Sequence, residues 1–459
     1  MRVLVSTTEG VSSAEEQSDY TGAESVASAL ATRLRARTAS VAVLGMGYAG
    51  LPVAVELARA GFPTTGLDVD EERVRLVNDG RSPVSDVSDA EIAALVGGSH
   101  LRASCRFDLL DETDCVLICV PTPLTDGKAQ DMRYLEESAR MVAAHLHREM
   151  LVVLQSTTTP GTTRGVVLPI LASRGGLTVG DDYFVAYAPE RIDPGNPRYG
   201  VRNTPKLVGG ITPLCCSLAS LLFSPIVSHL VKVSSPEIAE MSKLVENSFR
   251  FINISFVNEV AVLCDRMGID VWEVIDAAAT KPFAFMAHYP GPGVGGHCIP
   301  VVPFFLESVA ERYGMAAELV KVAGRINAEM PDFVVQKLER LLAERGKALS
   351  GSRILLLGMA YKADVADCRE SPALAVLRSL IRRQVSVAYL DPYVPVVRCD
   401  GSVVTSLTYQ EIGSCRFDAA VLLTPHSGVD YALVGRQVDF VLDTRNHLRP
   451  SRDVTVIKM

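Results

Sequence analysis

Long apolar runs and an excess of basic residues are both missing from this sequence. No apolar stretch reaches the roughly 20 residues that a membrane-spanning helix needs, and residues 1–38 lack the charged start and apolar core of a secretion signal. The formal net charge is -8, whereas nucleic-acid binding requires a basic surface. We therefore expect a cytoplasmic protein with neither a membrane nor a nucleic-acid partner.

Cysteine spacings typical of a zinc site are missing as well. Ten cysteines are scattered along the chain, and neither Cys115 with Cys119 nor the adjacent Cys215 and Cys216 has the ligand spacing of such a site. The sequence therefore predicts no metal, and most of its thiols are expected to be buried in a reducing compartment.

A single compact domain is excluded by length, because 459 residues exceed what one hydrophobic core organises. Hydrophobic residues make up 48% of the chain and charged residues only 21%, which is typical of globular proteins with buried parallel strands. Residues 1–38 differ, since they are rich in Ser, Thr, Ala and Glu with weak periodicity. We interpret them as a mobile extension, in which residues 27–34 are compatible with a short helix.

From Ser40 onward, short β-rich runs alternate with helical stretches, as in the βαβ units of a doubly wound sheet. Between two such blocks, Ser235 caps and Pro236 begins a helix of about 30 residues, because no Pro or Gly follows until Gly268. The predicted strands cover residues 41–44, 64–67, 115–120, 151–154 and 183–187 before this helix, and 354–357, 385–390, 419–423 and 440–442 after it.

A GxGxxG motif follows the first predicted strand and opens a helix at residues 51–60. Gly45 allows the tight turn, Gly47 lets the backbone approach a pyrophosphate, and Gly50 permits close packing of helix on strand. Asp68 ends the second strand, where an acid accepts hydrogen bonds from the adenosine ribose, so the motif favours NAD over NADP. The alternative is an ordinary glycine turn with a surface aspartate.

Two further residues are assigned to the cofactor site. Arg73 lies one turn into the helix after Asp68, and a solvated arginine is an equally good interpretation of it. Thr122, shortly after the strand predicted at residues 115–120, is the second.

Six segments far apart in the chain share one explanation. They are residues 155–161, 187–192, 243–247, 291–300, 358–362 and 367–372, which read QSTTTPG, YAPERI, KLVEN, GPGVGGHCIP, GMAYK and DCRESP. Together they resemble the UDP-glucose/GDP-mannose dehydrogenase family, and most of all its UDP-N-acetylglucosamine and UDP-N-acetylmannosamine 6-dehydrogenase branch. The resemblance runs from about Ser40 to Asn446 and implies an NAD-dependent enzyme that oxidises C6 of a nucleotide-sugar.

The predicted fold class is α/β, with two Rossmann-like doubly wound domains joined by a long central helix. We expect a flexible extension at residues 1–38, an NAD-binding domain at 39–232, a central region with the nucleophile at 233–335 and a nucleotide-sugar-binding domain at 336–459. A helix of this length normally bridges domains or subunits, so a homodimer is the expected assembly.

Cys298 lies in the glycine-rich segment at residues 291–300, and the resemblance implies that it is the covalent nucleophile. An aldehyde has no second hydride to give until a nucleophile adds to it, and a thiolate does so by forming a thiohemiacetal. Loss of hydride to a second NAD then gives a thioester that water hydrolyses. The alternative is an inert buried thiol.

Lys243 and Asn247 are four residues apart on the predicted long helix and therefore project from the same face. The resemblance implies that both donate to the 6-oxygen of the substrate and stabilise its negative charge. Arg250 continues the same stripe towards the sugar or the diphosphate. Without the resemblance, a solvated helix face is the better interpretation.

The resemblance also implies that Thr157 and Glu190 hold a water molecule that accepts the first proton. This role suits a carboxylate whose pKa is raised towards neutrality by burial. The alternatives are turn chemistry at Thr157 and an ion pair between Glu190 and Arg191.

Lys362 and Arg369 follow the first strand of the second block, where doubly wound sheets bind ligands. The resemblance places the diphosphate of a nucleotide-sugar there, which two cations suit. It also places Tyr289 and Gly296 against the same ligand. The alternative is a pair of exposed cations.

One residue departs from the family pattern. The family has an aspartate four residues after its cysteine, whereas this sequence has Val302. The missing carboxylate removes a helper for thioester hydrolysis, and Glu246 and Glu307 are the candidates to replace it. Three functions stay open: oxidation to the uronic acid, a two-electron or internal-redox reaction, and a non-catalytic nucleotide-sugar-binding subunit.

Overall fold

The computed structural model describes residues 24–84, 86–125, 130–193, 195–196, 198–296, 298–451 and 454–459. The described residues form two compact units, one that ends at Val245 and one that runs from Glu246 to Met459. Within these ranges, no helix combines the length and the apolar character that crossing a membrane requires.

The first unit is built on one sheet of short, buried strands. Its strands are β1 (Val41–Leu44), β2 (Thr64–Leu67), β3 (Leu101–Ser104), β4 (Cys115–Ile118), β5 (Leu151–Leu154), β6 (Phe184–Tyr187), β7 (Lys206–Gly210) and β8 (Leu230–Val233). Its helices are α1 (Glu24–Ala36), α2 (Gly50–Arg59), α3 (Glu71–Asn78), α4 (Asp89–Gly97), α5 (Arg133–Ala144), α6 (Leu168–Ala172) and α7 (Pro213–Phe223), with a 3-10 helix at Phe107–Glu112 and a π-helix at Thr163–Val167.

The strand order is β3-β2-β1-β4-β5-β6-β7-β8, and its first six strands follow the order of a doubly wound dinucleotide-binding sheet. Neighbouring strands are parallel, except that β7 runs antiparallel to β6. This reversal brings the first residue of β7 to the edge of the sheet at which β6 ends.

Both faces of this sheet are covered, because successive strand residues point to opposite sides. In β1, Val41 and Val43 pack in a core shared with α1, α2 and α7. Ala42 and Leu44 pack in the opposite core, which α5 and α6 complete. The carboxyl edge of the sheet is therefore held between two apolar layers.

The short helix considered for residues 27–34 is confirmed and extends over α1. Leu30 and Leu34 are fully buried against the α7 side of the sheet, and Arg33 forms an ion pair with Asp114 at 2.8 Å. The mobile extension predicted for residues 1–38 is therefore wrong for α1, since its apolar face is part of the core. Residues 1–23 lie outside the described residues.

The second unit contains a five-stranded parallel sheet with the order β10-β9-β13-β14-β15. The strands of this unit are β9 (Arg353–Leu357), β10 (Ser386–Leu390), β11 (Val396–Cys399), β12 (Ser402–Thr405), β13 (Ala419–Leu422), β14 (Val441–Asp443) and β15 (Val456–Lys458). Its helices are α9 (Val271–Ala279), α10 (Val302–Arg312), α11 (Glu318–Ala343), α12 (Pro372–Arg382), α13 (Tyr409–Gly413) and α14 (Tyr431–Gly435).

The long helix predicted from Pro236 is confirmed as α8 (Pro236–Met267), which begins in the first unit and ends in the second. The nine predicted strands are all present, with ends that differ by at most two residues. A mainly parallel sheet in the first unit, a parallel sheet in the second and a helix shared between the units confirm the predicted fold class.

Candidate active site

The glycine turn after β1 has the geometry that the GxGxxG motif predicts. Gly45 has a φ of +91°, and a Cβ added to it would lie 2.8 Å from the carbonyl oxygen of Cys119. A Cβ on Gly50 would collide with the carbonyl oxygen of Gly45. Gly47 has open space where its Cβ would be, which leaves room for an anion at the N-terminus of α2. The turn therefore fits a dinucleotide pyrophosphate.

Asp68 follows β2 at the same edge of the sheet. Its carboxylate accepts hydrogen bonds from the backbone N–H groups of Met46 at 2.7 Å and Asp70 at 3.0 Å. Arg73 donates to the same carboxylate at 2.9 Å. Arg73 is thus an ion-pair partner of Asp68 and not an isolated surface cation.

Two polar side chains fix the loop that carries Thr157. The Thr122 hydroxyl donates to the carbonyl oxygen of Thr157 at 2.7 Å, and the Gln130 amide donates to the same oxygen at 3.1 Å. The Thr157 side chain itself is half-buried. Thr122, which was assigned to the cofactor site, is therefore tied directly to the loop of a candidate catalytic residue.

A buried carboxylate holds the far end of this loop. Glu240, on α8, accepts hydrogen bonds from the N–H groups of Gly161 at 2.6 Å and Thr163 at 2.8 Å, and from the Thr163 hydroxyl at 2.7 Å. The pKa of Glu240 is raised overall, because the effect of burial is larger than the opposing effect of these hydrogen bonds. Because Glu240 lies one turn before Lys243, this contact fixes the loop to the helix that carries the candidate lysine.

Glu190 is largely enclosed, with 13% of its side chain exposed, but its surroundings differ from those expected of a proton acceptor. Lys206 Nζ lies 3.0 Å from Oε2, and the N–H groups of Arg191 at 2.8 Å and Ile192 at 3.0 Å donate to Oε1. Burial by itself would raise the pKa of Glu190, but Lys206 and these N–H groups together lower it below its ordinary value. A raised pKa, which would suit a proton acceptor, is therefore not found for Glu190, and the side-chain ion-pair partner is Lys206 and not Arg191.

Lys243 and Asn247 are both buried on α8, with 8% and 7% of their surface exposed. The Asn247 Nδ2 atom has no hydrogen-bond partner among the described residues, and no ion-pair partner of Lys243 is found there either. The solvated helix face considered for them is therefore wrong. Arg250, further along the stripe, is exposed.

Cys298 is not part of a disulfide, has intermediate exposure and lies just before α10. Its carbonyl oxygen accepts the N–H of Val302, the first residue of that helix, at 2.9 Å. The N-terminus of a helix carries a partial positive charge, which stabilises a nearby thiolate. The backbone around Cys298 is thus anchored to the end of α10 that suits a thiolate.

The glycine loop before Cys298 packs on the loop between β9 and α12. Gly296 has a φ of +87° and donates its N–H to the carbonyl oxygen of Arg369 at 3.1 Å. A Cβ on Gly296 would lie 2.8 Å from the ring of Tyr361, and one on Gly295 would lie 2.7 Å from the carbonyl oxygen of Glu370. The two candidate substrate loops of the second unit therefore form one packed surface.

The loop between β9 and α12 also carries the two cations predicted for a diphosphate. The Arg369 guanidinium forms a bidentate pair with Asp367, with N–O distances of 2.7 to 3.0 Å. Lys362 is half-buried in the same loop. The charge of Arg369 is therefore balanced by a neighbour two residues away.

A buried histidine, His426, forms a hydrogen bond to the loop between β9 and α12. His426 Nδ1 accepts the N–H of Asp364 at 2.9 Å, so Nε2 carries the proton and faces Asp391 at 3.1 Å. Asp391 also accepts the N–H groups of Met359 at 2.6 Å and Ala360 at 2.9 Å. Burial opposes ionisation of Asp391, but His426 and the backbone N–H groups together lower its pKa.

Tyr289 stacks on Trp272, with ring centroids 5.7 Å apart, and its hydroxyl donates to Asp276 at 2.7 Å. Trp272 Nε1 and Asn446 Oδ1 are buried without a hydrogen-bond partner in the described part of the chain. A cavity of about 370 Å³ is lined by Trp272, Asp276, Tyr289, Pro290, Arg445 and Asn446. Both Trp272 and Asn446 line the cavity, next to Tyr289.

Val302 is only 3% exposed, so an apolar buried side chain stands where the family has its aspartate. Glu307, one of the two candidate replacements, forms an ion pair with Lys321 at 3.6 Å. A free carboxylate at Glu307 is therefore not observed.

Motif analysis missed Lys206, Glu240 and His426. Glu240 had a readable signal, since an acid three residues before Lys243 lies on nearly the same helix face. Lys206 and His426 had none, because both find their partners through long-range strand pairing.

Models of one family match three successive parts of the chain. The NAD binding domain of the UDP-glucose/GDP-mannose dehydrogenase family matches residues 39–227, its central domain residues 237–329 and its UDP binding domain residues 355–450. The chain belongs to this family. Its prediction as an NAD-dependent nucleotide-sugar dehydrogenase is therefore confirmed.

Relatives of known function cover almost the whole chain. It is 34% identical over 415 residues to the NDP-N-acetyl-D-galactosaminuronic acid dehydrogenase of Ralstonia nicotianae, which covers 88% of this chain and 95% of the relative. It is 33% identical over 355 residues to the UDP-N-acetyl-D-glucosamine 6-dehydrogenase of Pseudomonas aeruginosa, which covers 77% and 83%. The solved UDP-D-ManNAc dehydrogenase of Pyrococcus horikoshii matches with a TM-score of 0.81 at 33% identity and covers 91% and 98%.

Proposed function

We propose that this dehydrogenase oxidises C6 of a UDP-sugar, a UDP-N-acetylhexosamine in preference to UDP-glucose, to the carboxylate. The observation that carries the proposal is the pair of buried donors on α8, Lys243 and Asn247, which lack partners among the described residues. Burying a cation without a partner is unfavourable, so the pair favours a ligand oxygen that becomes negatively charged.

In the first oxidation, Lys243 and Asn247 donate to the 6-oxygen as it loses its proton. The proton passes to a water molecule held by Thr157 and Glu190. The glycine turn of residues 45–50 would hold NAD, which would supply the hydride acceptor, with one NAD for each of the two oxidations.

In the second oxidation, the Cys298 thiolate adds to the aldehyde carbon and forms a C–S bond. Loss of the second hydride converts this adduct to a thioester. Water then cleaves the C–S bond, which restores the thiol and releases the carboxylate. Lys243 and Asn247 donate to the negatively charged oxygen at each tetrahedral stage.

The substrate class is supported by the names of the relatives, which act on N-acetylated sugar nucleotides, and by the match to a UDP binding domain. We assign the nucleotide-sugar to Lys362, Arg369, Tyr289, Gly296 and Arg250. The functional division is then NAD bound by residues 39–232, the nucleophile carried by 233–335 and the nucleotide-sugar bound by 336–459.

Stoichiometry tests the proposal. A panel of UDP-sugars is assayed for NADH and for product mass, and two NADH per uronic acid are expected. Cys298→Ser is expected to abolish acid formation, whereas Cys415→Ser, which changes another thiol of intermediate exposure in the same unit, is the matched control. Binding of UDP-sugars without NADH from any of them would contradict the proposal.

The burial of Val302 favours one alternative. In it, the reaction stops at the aldehyde, or NADH returns its hydride to the bound sugar and NAD is regenerated. Under this alternative, Val302→Asp creates acid-forming activity that the unmodified enzyme lacks. An aspartate at the first position of α10 also interacts favourably with the helix N-terminus, so the variant is expected to fold. Acid formation by the unmodified enzyme rules the alternative out.

We further propose that the enzyme is a homodimer in which α8 contacts α8 of a second copy. Phe249, Phe256 and Leu263 recur every seven residues and are about half exposed, and Met267 extends the same apolar stripe. A second copy of the stripe is the complementary surface. Light scattering is expected to give a dimer mass for the unmodified chain and a monomer mass for Phe256→Asp.

The cytoplasm is the proposed compartment. None of the ten cysteines, all of which lie in the described ranges, is in a disulfide, and reduced cysteines are typical of a reducing environment. Fractionation of cells that produce the protein with its natural N-terminus checks this assignment.

A further inference from the structure

The contact between Lys206 and Glu190 depends on the antiparallel strand pairing in the first sheet. β6 and β7 are antiparallel, with Tyr187 opposite Gly209. Continuing this register by three residues places Glu190 opposite Lys206. The observed Nζ–Oε2 distance of 3.0 Å agrees with that register. A parallel β7 would instead have placed Lys206 at the far edge of the sheet.

Lys206 is buried and Glu190 is largely enclosed, with 5% and 13% of their side chains exposed. The ring of Phe223 lies 5.2 Å from the ammonium and covers it on another side. Each oxygen of the carboxylate has a donor, because Oε1 accepts two backbone N–H groups and Oε2 accepts Lys206. The carboxylate is therefore fixed in both charge and direction.

We propose that Lys206 is a positioning residue of the active site, which keeps Glu190 ionised and aimed so that Glu190 orients the proton-accepting water without binding the proton itself. This inference rests on the role of Glu190 in the proposed function. It replaces the picture of Glu190 as a base whose proton affinity is raised by burial.

The other titratable groups around Glu190 do not replace Lys206. Cys119 is buried, and burial raises the pKa of its thiol to about 12, so it stays neutral. Arg191 contacts Glu190 through its backbone N–H and directs its guanidinium to the carbonyl oxygen of Pro205 at 2.6 Å. Among the groups that lower the pKa of Glu190, Lys206 comes first, through both its charge and its hydrogen bond.

The test is the pH dependence of kcat/KM in Lys206→Met, which preserves the stem of the side chain and removes the charge. The buried carboxylate then takes up a proton more readily, so the acid limb is expected to move up by at least one pH unit. Lys232→Met is the matched control, because Lys232 is an exposed lysine on the adjacent strand β8, and its profile is expected to be unchanged.

Two further variants separate this inference from the proposed function. Glu190→Gln is expected to lower kcat by at least tenfold and to remove the acid limb, and Lys206→Met/Glu190→Gln is expected to show no acid limb either. If Glu190→Gln lowers kcat but Lys206→Met leaves the limb in place, the inference is wrong and the role of Glu190 stands. If Glu190→Gln retains full kcat, both fail. Should Lys206→Met not fold, Lys206→Gln gives the same reading, since it also lacks the charge.

Discussion

The sheets of the two units contain the same type of glycine turn after their first strand, but the segments that follow the turns differ. In the first unit, β1 leads into Gly45 with a φ of +91°, and Asp68 after β2 accepts the N–H of Met46 at 2.7 Å. In the second unit, β9 leads into Gly358 with a φ of +86°, and Asp391 after β10 accepts the N–H of Met359 at 2.6 Å.

The turns differ in the segment that comes after the glycine. In the first unit α2 begins at Gly50, so a helix N-terminus lies directly behind the turn. In the second unit α12 begins only at Pro372, and the intervening loop holds Lys362 and Arg369. The first turn therefore offers backbone N–H groups to an anion, whereas the second offers side-chain cations.

The aspartates of the two turns, Asp68 and Asp391, differ in the number and the burial of their hydrogen-bond partners. Asp68 is bound by two backbone N–H groups and by the partly exposed Arg73. Asp391 is bound by four backbone N–H groups and by the fully buried His426. The same type of turn thus fits a dinucleotide pyrophosphate in the first unit and fixes the loop that carries Lys362 and Arg369 in the second.

The largest expected difference is between Asp391→Asn and Asp68→Asn. Breaking a fully buried, charge-assisted network costs about 3 to 5 kcal/mol, so Asp391→Asn is expected to lower the free energy of unfolding by that amount. Asp68→Asn is expected to cost about 1 kcal/mol and to raise the KM for NAD. Urea unfolding of both variants checks this, and equal losses would remove the distinction between the turns.

The next effect concerns the open space beside Gly47. Gly47→Val is expected to raise the KM for NAD by at least tenfold, about 1.4 kcal/mol, because the side chain occupies the pyrophosphate position. Stability is expected to stay unchanged, since no protein atom lies within 4 Å of the added Cβ. Gly428→Val, a second glycine with open space, is the control. An unchanged KM for NAD in Gly47→Val would break the comparison.

His426 gives a smaller effect that is confined to the second unit. His426→Asn retains an acceptor for the N–H of Asp364 and His426→Gln retains a donor for Asp391, so each is expected to cost about 1 to 2 kcal/mol. Both are expected to raise the KM for the UDP-sugar and to leave the KM for NAD unchanged. A parallel rise in both constants would mean a general loss of folding.

The smallest effect is a pH dependence of stability. The pKa of Asp391 is lowered in the folded state, so its stabilising contribution is complete above the unfolded value of about 3.9 and is lost as the pH falls through the lowered folded value. The urea midpoint of the unmodified protein is therefore expected to fall below pH 4. Asp391→Asn is expected to show a shallower decline, and identical slopes would contradict this assignment.

Continuous buried runs explain why much of the fold was predictable. β1, β2 and β5 were predicted to the residue. In β1 and β5, four consecutive buried apolar residues are typical of a strand in a parallel sheet that is covered on both faces. Among the strands that were missed, β7 ends in two glycines and β8 is only half-buried. The direction of β7 is decided by its neighbours in the sheet, and local sequence does not report it.

The sequence indicated which residues belong to the candidate site better than it indicated which of them contact each other. Lys243 and Asn247 share a helix face by spacing alone, and the structure places both there. The partner of Glu190 was not predictable, because Lys206 reaches it through strand register and Arg191 is the nearer cation in sequence. Asp367 balances the charge of Arg369. The two residues are close in sequence, but only the folded loop shows that their ion pair is bidentate.

The helix α1 has a practical consequence for anyone who prepares this enzyme. Trimming the chain to the first strand would look harmless on the printed sequence, yet it would strip Leu30 and Leu34 from the interior and leave Asp114 and Glu149 without their arginine. Such a shortened product would present a bare apolar patch to solvent and would be prone to aggregate. A safe N-terminal boundary lies upstream of Glu24.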